Sequence, residues 1–167
     1  MKHFATLQKM KRQTFTLEEG LAKAKKYCAY QERCSSEVRT KLHVWGLSER
    51  ECEWIICELI TQDYMHELRF ACLFVEGKSR IKGWGKHKIK HALQVKQISD
   101  VCIQKAINTI EKADYEQTIR KQADKWLRIH PSLSVNEQKQ KLIRYLLTKG
   151  YEYTIIQEFI DTNIERE

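Results

Sequence analysis

With 42% hydrophobic residues, a single proline and six glycines, this 167-residue chain has enough apolar content for a buried core and too few turn residues for a strand-rich fold. Thirty Lys and Arg against 22 Asp and Glu leave a formal charge of +8 and a pI near 9.2, which draws the surface toward polyanions or toward the acidic face of a protein partner. No window holds the ~18 apolar residues of a membrane span, and Met1–Arg12 lacks the apolar stretch of a secretory signal, so an all-α cytoplasmic protein with six free thiols is expected.

Residues 1–15 match nothing else in the chain and are expected to form a loosely ordered extension. Thr16 can cap a helix from Leu17 to about Gln31, with Glu18 and Glu19 in its first turn. Ser35 or Ser36 then caps a helix carrying Val38, Leu42 and Trp45, ended by Gly46. Ser48 and Glu51 form a capping box ahead of a third helix, whose Cys52, Ile55, Ile56 and Leu59 share one stripe. Cys57, Cys72 and Cys102 are also placed among apolar helical positions, where a reduced thiol acts as a small hydrophobe.

The second unit opens with a helix from about Glu67 to Ile81, broken by Gly83-Trp84-Gly85. Lys86 to Val95 forms its middle helix and Ser99 caps its last. The third opens with a helix from about Tyr115 to Ile129, stopped by Pro131. Asn136 or Ser134 caps the next, Gly150 ends it, and Glu152 to Ile164 forms the final helix.

These units are related. Val38, Leu42, Leu47, Cys52, Ile56 and Leu59, shifted by 51, become Ile89, Leu93, Ile98, Ile103, Ile107 and Ile110. A further shift of 53 gives Leu142, Leu146, Tyr151, Ile156, Ile160 and Asn163, and only Asn163 breaks the apolar pattern. The pattern predicts three tandem three-helix repeats at 16–64, 65–113 and 114–167, whose neighbours share a core.

The middle repeat holds the densest charge. Lys78, Arg80, Lys82, Lys86, Lys88, Lys90 and Lys96 stand there with one acid, Glu76, nearby. Lys86 and Lys90 are spaced i, i+4 on one helix face, and Trp84 lies between two glycines that permit close backbone approach. A basic helix start beside a ring suits phosphates, bases or a protein groove. Gly77-Lys78-Ser79 lacks the first glycine and the preceding strand of a phosphate-binding loop. His87 and His91 are i, i+4 among four lysines, with no neighbouring carboxylate or thiolate to complete a metal shell. No Cys or His pattern signals covalent catalysis, so neither active site nor metal nor cofactor is expected.

Arg69-Phe70-Ala71, Val75, Lys82-Gly83-Trp84-Gly85, Ile89, Leu93 and Lys96-Gln97-Ile98 resemble the central motif of the RecX family. Ser35-Ser36-Glu37-Val38, Lys41-Leu42, Gly46-Leu47 and Ile56 resemble its opening pattern, while Leu142, Leu146, Gly150-Tyr151 and Ile156 agree by pattern alone. Three departures stand out: Glu76 for an arginine, Gln97 for a glycine, and His91-Ala92 where an acid is common. The resemblance implies an all-α protein of three tandem three-helix repeats in an elongated, curved array, a non-enzymatic modulator of the RecA recombinase, without cofactors, that acts in recombination, DNA repair and the SOS response. Such proteins lie in the groove of the RecA filament on single- or double-stranded DNA and suppress strand exchange and ATP hydrolysis. A monomer is expected. The residues expected to touch the filament are Lys78, Arg80, Lys82, Lys86, Lys88 and Lys90, with Trp84 shaping the turn and Arg39 and Lys41 contributing from the first repeat. The same basic face also suits a stand-alone, non-sequence-specific DNA-binding protein.

Overall fold

The computed structural model describes residues 15–163. The expected N-terminal extension up to residue 14 and the last helix's end at Ile164 lie outside the described residues. Among the described residues nine α-helices follow in order: α1 (Leu17–Tyr30), α2 (Ser35–Val44), α3 (Glu49–Thr61), α4 (Glu67–Glu76), α5 (Lys86–Val95), α6 (Asp100–Ile107), α7 (Lys112–Ile129), α8 (Val135–Lys149) and α9 (Tyr153–Asn163). No strand occurs among the described residues, and the fold is three tandem three-helix repeats. They fall into two compact units, 1–66 with α1–α3 and 67–167 with α4–α9.

Helix starts follow the capping signals closely. Thr16 and Ser48 make capping boxes with Glu19 and Glu51, and Ser134 rather than Asn136 does so with Glu137. Each serine or threonine oxygen accepts from the third backbone N–H, while the glutamate reaches back to the cap's own amide. The Ser48 and Ser134 hydrogen bonds hold the Glu51 and Glu137 carboxyls below the usual carboxylate range. Two starts differ from expectation. Cys34, not Ser35 or Ser36, is the N-cap of α2, and its side chain makes no capping bond. The N-cap of α7 is Glu111, so this helix begins three residues before Tyr115. A fourth cap comes from across repeat 2, where the Glu67 carboxylate accepts from both the amide and the hydroxyl of Ser99 (2.9 Å each).

The middle helix of every repeat ends in the same way. Gly46, Gln97 and Gly150 adopt left-handed backbone (φ 85°, 62° and 88°), and their amides donate to His43, Gln94 and Leu147 carbonyls at 2.9 Å. The next residues, Leu47, Ile98 and Tyr151, donate to Leu42, Leu93 and Leu146 at 3.1–3.2 Å and are buried. This paired pattern is the Schellman motif, which satisfies the last carbonyls and turns an apolar residue back onto the helix. Of the eighteen positions related by the repeat, all but Ile110 and Asn163 are buried.

In unit 1 the core is built on Ala24, Leu42, Cys52, Ile55 and Leu59, with Trp45 half-buried against it. All six cysteines are free, but Cys57 is exposed instead of lying among core positions. Five residues beyond Cys52, it sits about 140° round the helix from the buried stripe.

Unit 2 departs from the expected long opening helix. From Gly77 to Ile81 the chain widens into a π-helical turn that continues α4 before the break at Gly83. The Gly-Lys-Ser sequence therefore lies in a helical turn with Ser79 buried.

The turn that follows is the seam between repeats 2 and 3. The N-cap of α5, Gly85, offers no side chain, and its amide donates to the Lys149 carbonyl (2.9 Å). The His87 amide donates to Gly150 (3.0 Å), and the Lys86 amide to the Tyr115 hydroxyl (3.0 Å), which itself donates to the Glu152 carboxylate. The orphan amides of α5 are thus satisfied by repeat 3, with the positive end of one helix on the negative end of α8. Burial, reinforced by the Glu152 hydrogen bond, pushes the Tyr115 phenol well above its usual range, so it stays a neutral donor and acceptor. The Tyr151 hydroxyl donates to the Gly83 carbonyl (3.3 Å), and Arg80 bridges Asp114 of α7 (2.7 Å) and Glu76 of α4 (3.1 Å).

The glycines of the turn are set by this packing. A Cβ at Gly85 would lie 2.2 Å from the Gly150 carbonyl carbon and oxygen, and one at Gly150 only 2.4 Å from Lys88 Cβ.

Gly85→Ala is expected to cost about 3 kcal/mol in urea unfolding, because neither backbone can yield. Gly77→Ala meets open space and should be neutral or stabilising by up to about 1 kcal/mol. Equal stabilities for these two variants would refute the seam. At the left-handed position, Gln97→Gly should stabilise by about 0.5–1 kcal/mol by relieving the cost of a Cβ there. A loss of stability would contradict that reading.

Candidate binding interface

The nine residues singled out in the sequence occupy different surroundings. Lys82, Lys88 and Lys90 are exposed, while Lys78, Trp84 and Lys86 are half-buried. Trp84 brings two of them together: the ammonium groups of Lys78 and Lys88 lie 4.9 and 5.0 Å from its ring centroid. Lys78 comes from the π turn and also lies 5.1 Å from the Phe74 ring, and Lys88 donates to the Thr148 carbonyl of repeat 3 (3.2 Å). Such contacts hold the cations over the π faces without neutralising them.

Lys86 and Lys90 stand i, i+4 on α5 as expected, but their ammonium groups have different surroundings. The ammonium of Lys86 rests 4.8 Å from the Tyr115 ring in the seam, whereas Lys90 points to the open side of α5 along the groove toward α6. Arg80 is exposed, yet its guanidinium is committed to Asp114 and Glu76. Glu76 is therefore an ion-pair partner within the repeat.

Arg39 and Lys41 belong to unit 1. Arg39 is half-buried and paired with Glu49, which also accepts from His43 Nε2 at 2.8 Å. Lys41 is exposed, its ammonium 5.9 Å from the Trp45 ring.

One arrangement in unit 1 has the outline of a catalytic triad. Cys52 Sγ lies 3.9 Å from His43 Nδ1, and His43 Nε2 meets Glu49. Yet Cys52 is fully buried, and burial raises its thiol above the usual range, so neither a thiolate nor a route for substrate is provided. Cys28 is still less reactive, pushed up to about 11 by burial. His87 and His91 are both exposed.

On repeat 3 the fold assembles a set of rings and cations around Trp126, which is half-buried. Trp126 stacks on His130 (centroids 4.1 Å, planes 19° apart) and lies 6.3 Å from the Tyr145 ring. Lys149 Nζ lies 5.4 Å from that ring, and the Tyr145 hydroxyl donates to Gln122 Oε1 (3.1 Å). Gln122 in turn packs against Gly83, beside Trp84. The signal for them was present as i, i+4 pairs, Trp126 with His130 and Tyr145 with Lys149, but only the fold joins them to the middle repeat. No helix among the described residues is long and apolar enough to cross a membrane.

Comparison with known proteins agrees with this architecture. Residues 67–107 match the family model for the second three-helix domain of RecX and residues 113–160 that for the third, together more than half of the chain. Among named relatives, the regulatory protein RecX of Halalkalibacterium halodurans is 32% identical over 146 residues, covering 84% of this chain and 53% of the relative. That of Clostridium perfringens is 30% identical over 123 residues, covering 72% and 57%. The chain spans about half the length of the curated relatives it matches. The crystal structure of RecX from Lactobacillus salivarius superposes with a TM-score of 0.77 at 27% identity, covering 87% of this chain and 95% of that one. With the repeat, the Schellman turns and the glycine-flanked seam all in place, the chain belongs to the RecX family.

Proposed function

We propose that this protein is a regulator that binds in the groove of the RecA filament on DNA and restrains strand exchange and ATP hydrolysis, acting in recombinational repair and the SOS response. Family membership supports the class of partner. The observation that carries the reading is the basic face of α5 and the turn before it. There Lys88 and Lys90 project from a helix whose start is locked to the next repeat, and Lys82 is exposed in the turn before it.

A rigid basic face suits a long groove lined by phosphates and protein, because little side-chain or backbone order is lost on docking. The mechanism is occupancy: repeats laid across neighbouring protomers fill the groove that a second DNA must enter. Nothing in it calls for a cofactor or a covalent step. Domain boundaries at 64/65 and 113/114 complete the proposal.

The test is RecA ATPase activity on single-stranded DNA with this protein titrated in, at fixed ionic strength. Wild type is expected to lower the rate in a saturable manner. The double variant Lys82→Glu/Lys90→Glu, at two exposed positions away from the seam, should need at least about tenfold more protein for the same effect. An unchanged rate with wild type rejects the RecA reading. Full inhibition by the double variant rejects the site while leaving the function standing.

A further inference from the structure

The rings of unit 2 form a connected series. Phe74 and Trp84 share the Lys78 ammonium. Trp84 is followed across the seam by Gln122, which packs on Gly83 and accepts from Tyr145. Tyr145 leads to Trp126, and Trp126 to His130. All five rings are half-buried, and Trp126 and Tyr145 pack against the core of repeat 3. The cations that accompany them come from three elements: Lys78 from the π turn, Lys88 from α5 and Lys149 from α8. Lys125 also lies within electrostatic reach of Tyr145.

Rings accompanied by ammonium groups match one kind of polymer. A single strand of nucleic acid presents a flat π face at every nucleotide and a phosphate between them, whereas a duplex hides its base faces in the stack. In the Trp126–His130 pair, 4.1 Å apart and nearly parallel, the imidazole covers one face of Trp126, and a base stacking there would take its place. A π turn is a common device for redirecting side chains at functional sites, and here it turns Lys78 in between two rings.

We infer that the face carrying Trp84, Tyr145 and Trp126 is a base-stacking platform for unpaired nucleic acid, with Lys78, Lys88 and Lys149 on the phosphates. It extends the contact surface from repeat 2 onto repeat 3, and it selects single strands over duplex. Because it concerns the free protein, it stands or falls separately from the RecA reading.

The experiment is fluorescence anisotropy with labelled twenty-nucleotide (dT), (rU) and a duplex of equal length, full-length protein titrated in at one ionic strength and no recombinase present. The platform predicts at least about tenfold tighter binding of the single strands than of the duplex. Similar affinity for (dT) and (rU) supports recognition of the chemistry they share, and a preference for one identifies the physiological source. Trp126→Leu should weaken single-strand binding about tenfold, the effect of losing one stacked base, with the salt slope unchanged. Trp126→Phe should restore most of it. Lys88→Gln should instead lower the salt slope by about 0.7. The strand-against-duplex comparison uses wild type alone, so it decides even if Trp126→Leu fails to fold. Equal affinity for duplex and single strands, undiminished binding by a folded Trp126→Leu protein, or binding to no oligonucleotide would overturn the inference. The last of these would leave the face to a protein partner.

Discussion

The start of α5 has no cap of its own. Its amides at Gly85, Lys86 and His87 are instead taken up by the Lys149 and Gly150 carbonyls and the Tyr115 hydroxyl of the next repeat. Three bonds of this kind contribute about 1 kcal/mol each, and the meeting of opposite partial charges at the two helix ends adds to them. Much else in unit 2 follows from this junction. Glycine is required at 85 because the backbone of residue 150 lies against it, and Tyr115 must remain a neutral phenol because it accepts from one side and donates to the other. Arg80 sits beside the junction as a clamp between α4 and α7 rather than as a free contact residue.

The junction also explains why a basic turn can serve recognition. A lysine-rich segment on a loose loop would lose conformational entropy with every contact. Here Gly85 and Lys86 are bonded to repeat 3, Lys88 is tied to Thr148, and the cations meet a partner from a fixed frame. Lys82 and Lys90 flank that frame in the open. The division of labour among these lysines is a consequence of packing: some hold rings and carbonyls, and others remain for phosphates.

Much of the fold was legible in the sequence because its signals are local. Capping boxes at Ser48 and Ser134, the apolar spacing that recurs after 51 and 53 residues, and glycines after helices all act within a few residues of themselves. Gln97 shows the strength of that pattern, since it adopts the left-handed turn without being glycine. The α2 cap was misread because Ser35 and Ser36 are both good cap residues, yet the chain enters the helix one position earlier at Cys34. Less of the candidate interface was legible. Lys78, Lys88 and Trp84 were singled out by composition, but the fate of Lys86 and Arg80 depends on Tyr115 and Asp114, about thirty residues away. No local periodicity encodes a contact of that kind, and for the same reason the Tyr145–Trp126 face went unnoticed.

Amide hydrogen exchange at single-residue resolution tests the junction most directly. The amides of Gly85, Lys86 and His87 belong to a helix start, where exchange is ordinarily fast. Bonded to repeat 3, they should be protected to about the level of the repeat 3 core around Ile119 and Leu146, and Tyr115→Phe should selectively release Lys86. Exchange of all three at the rate of an open helix end in the wild-type protein would contradict the account.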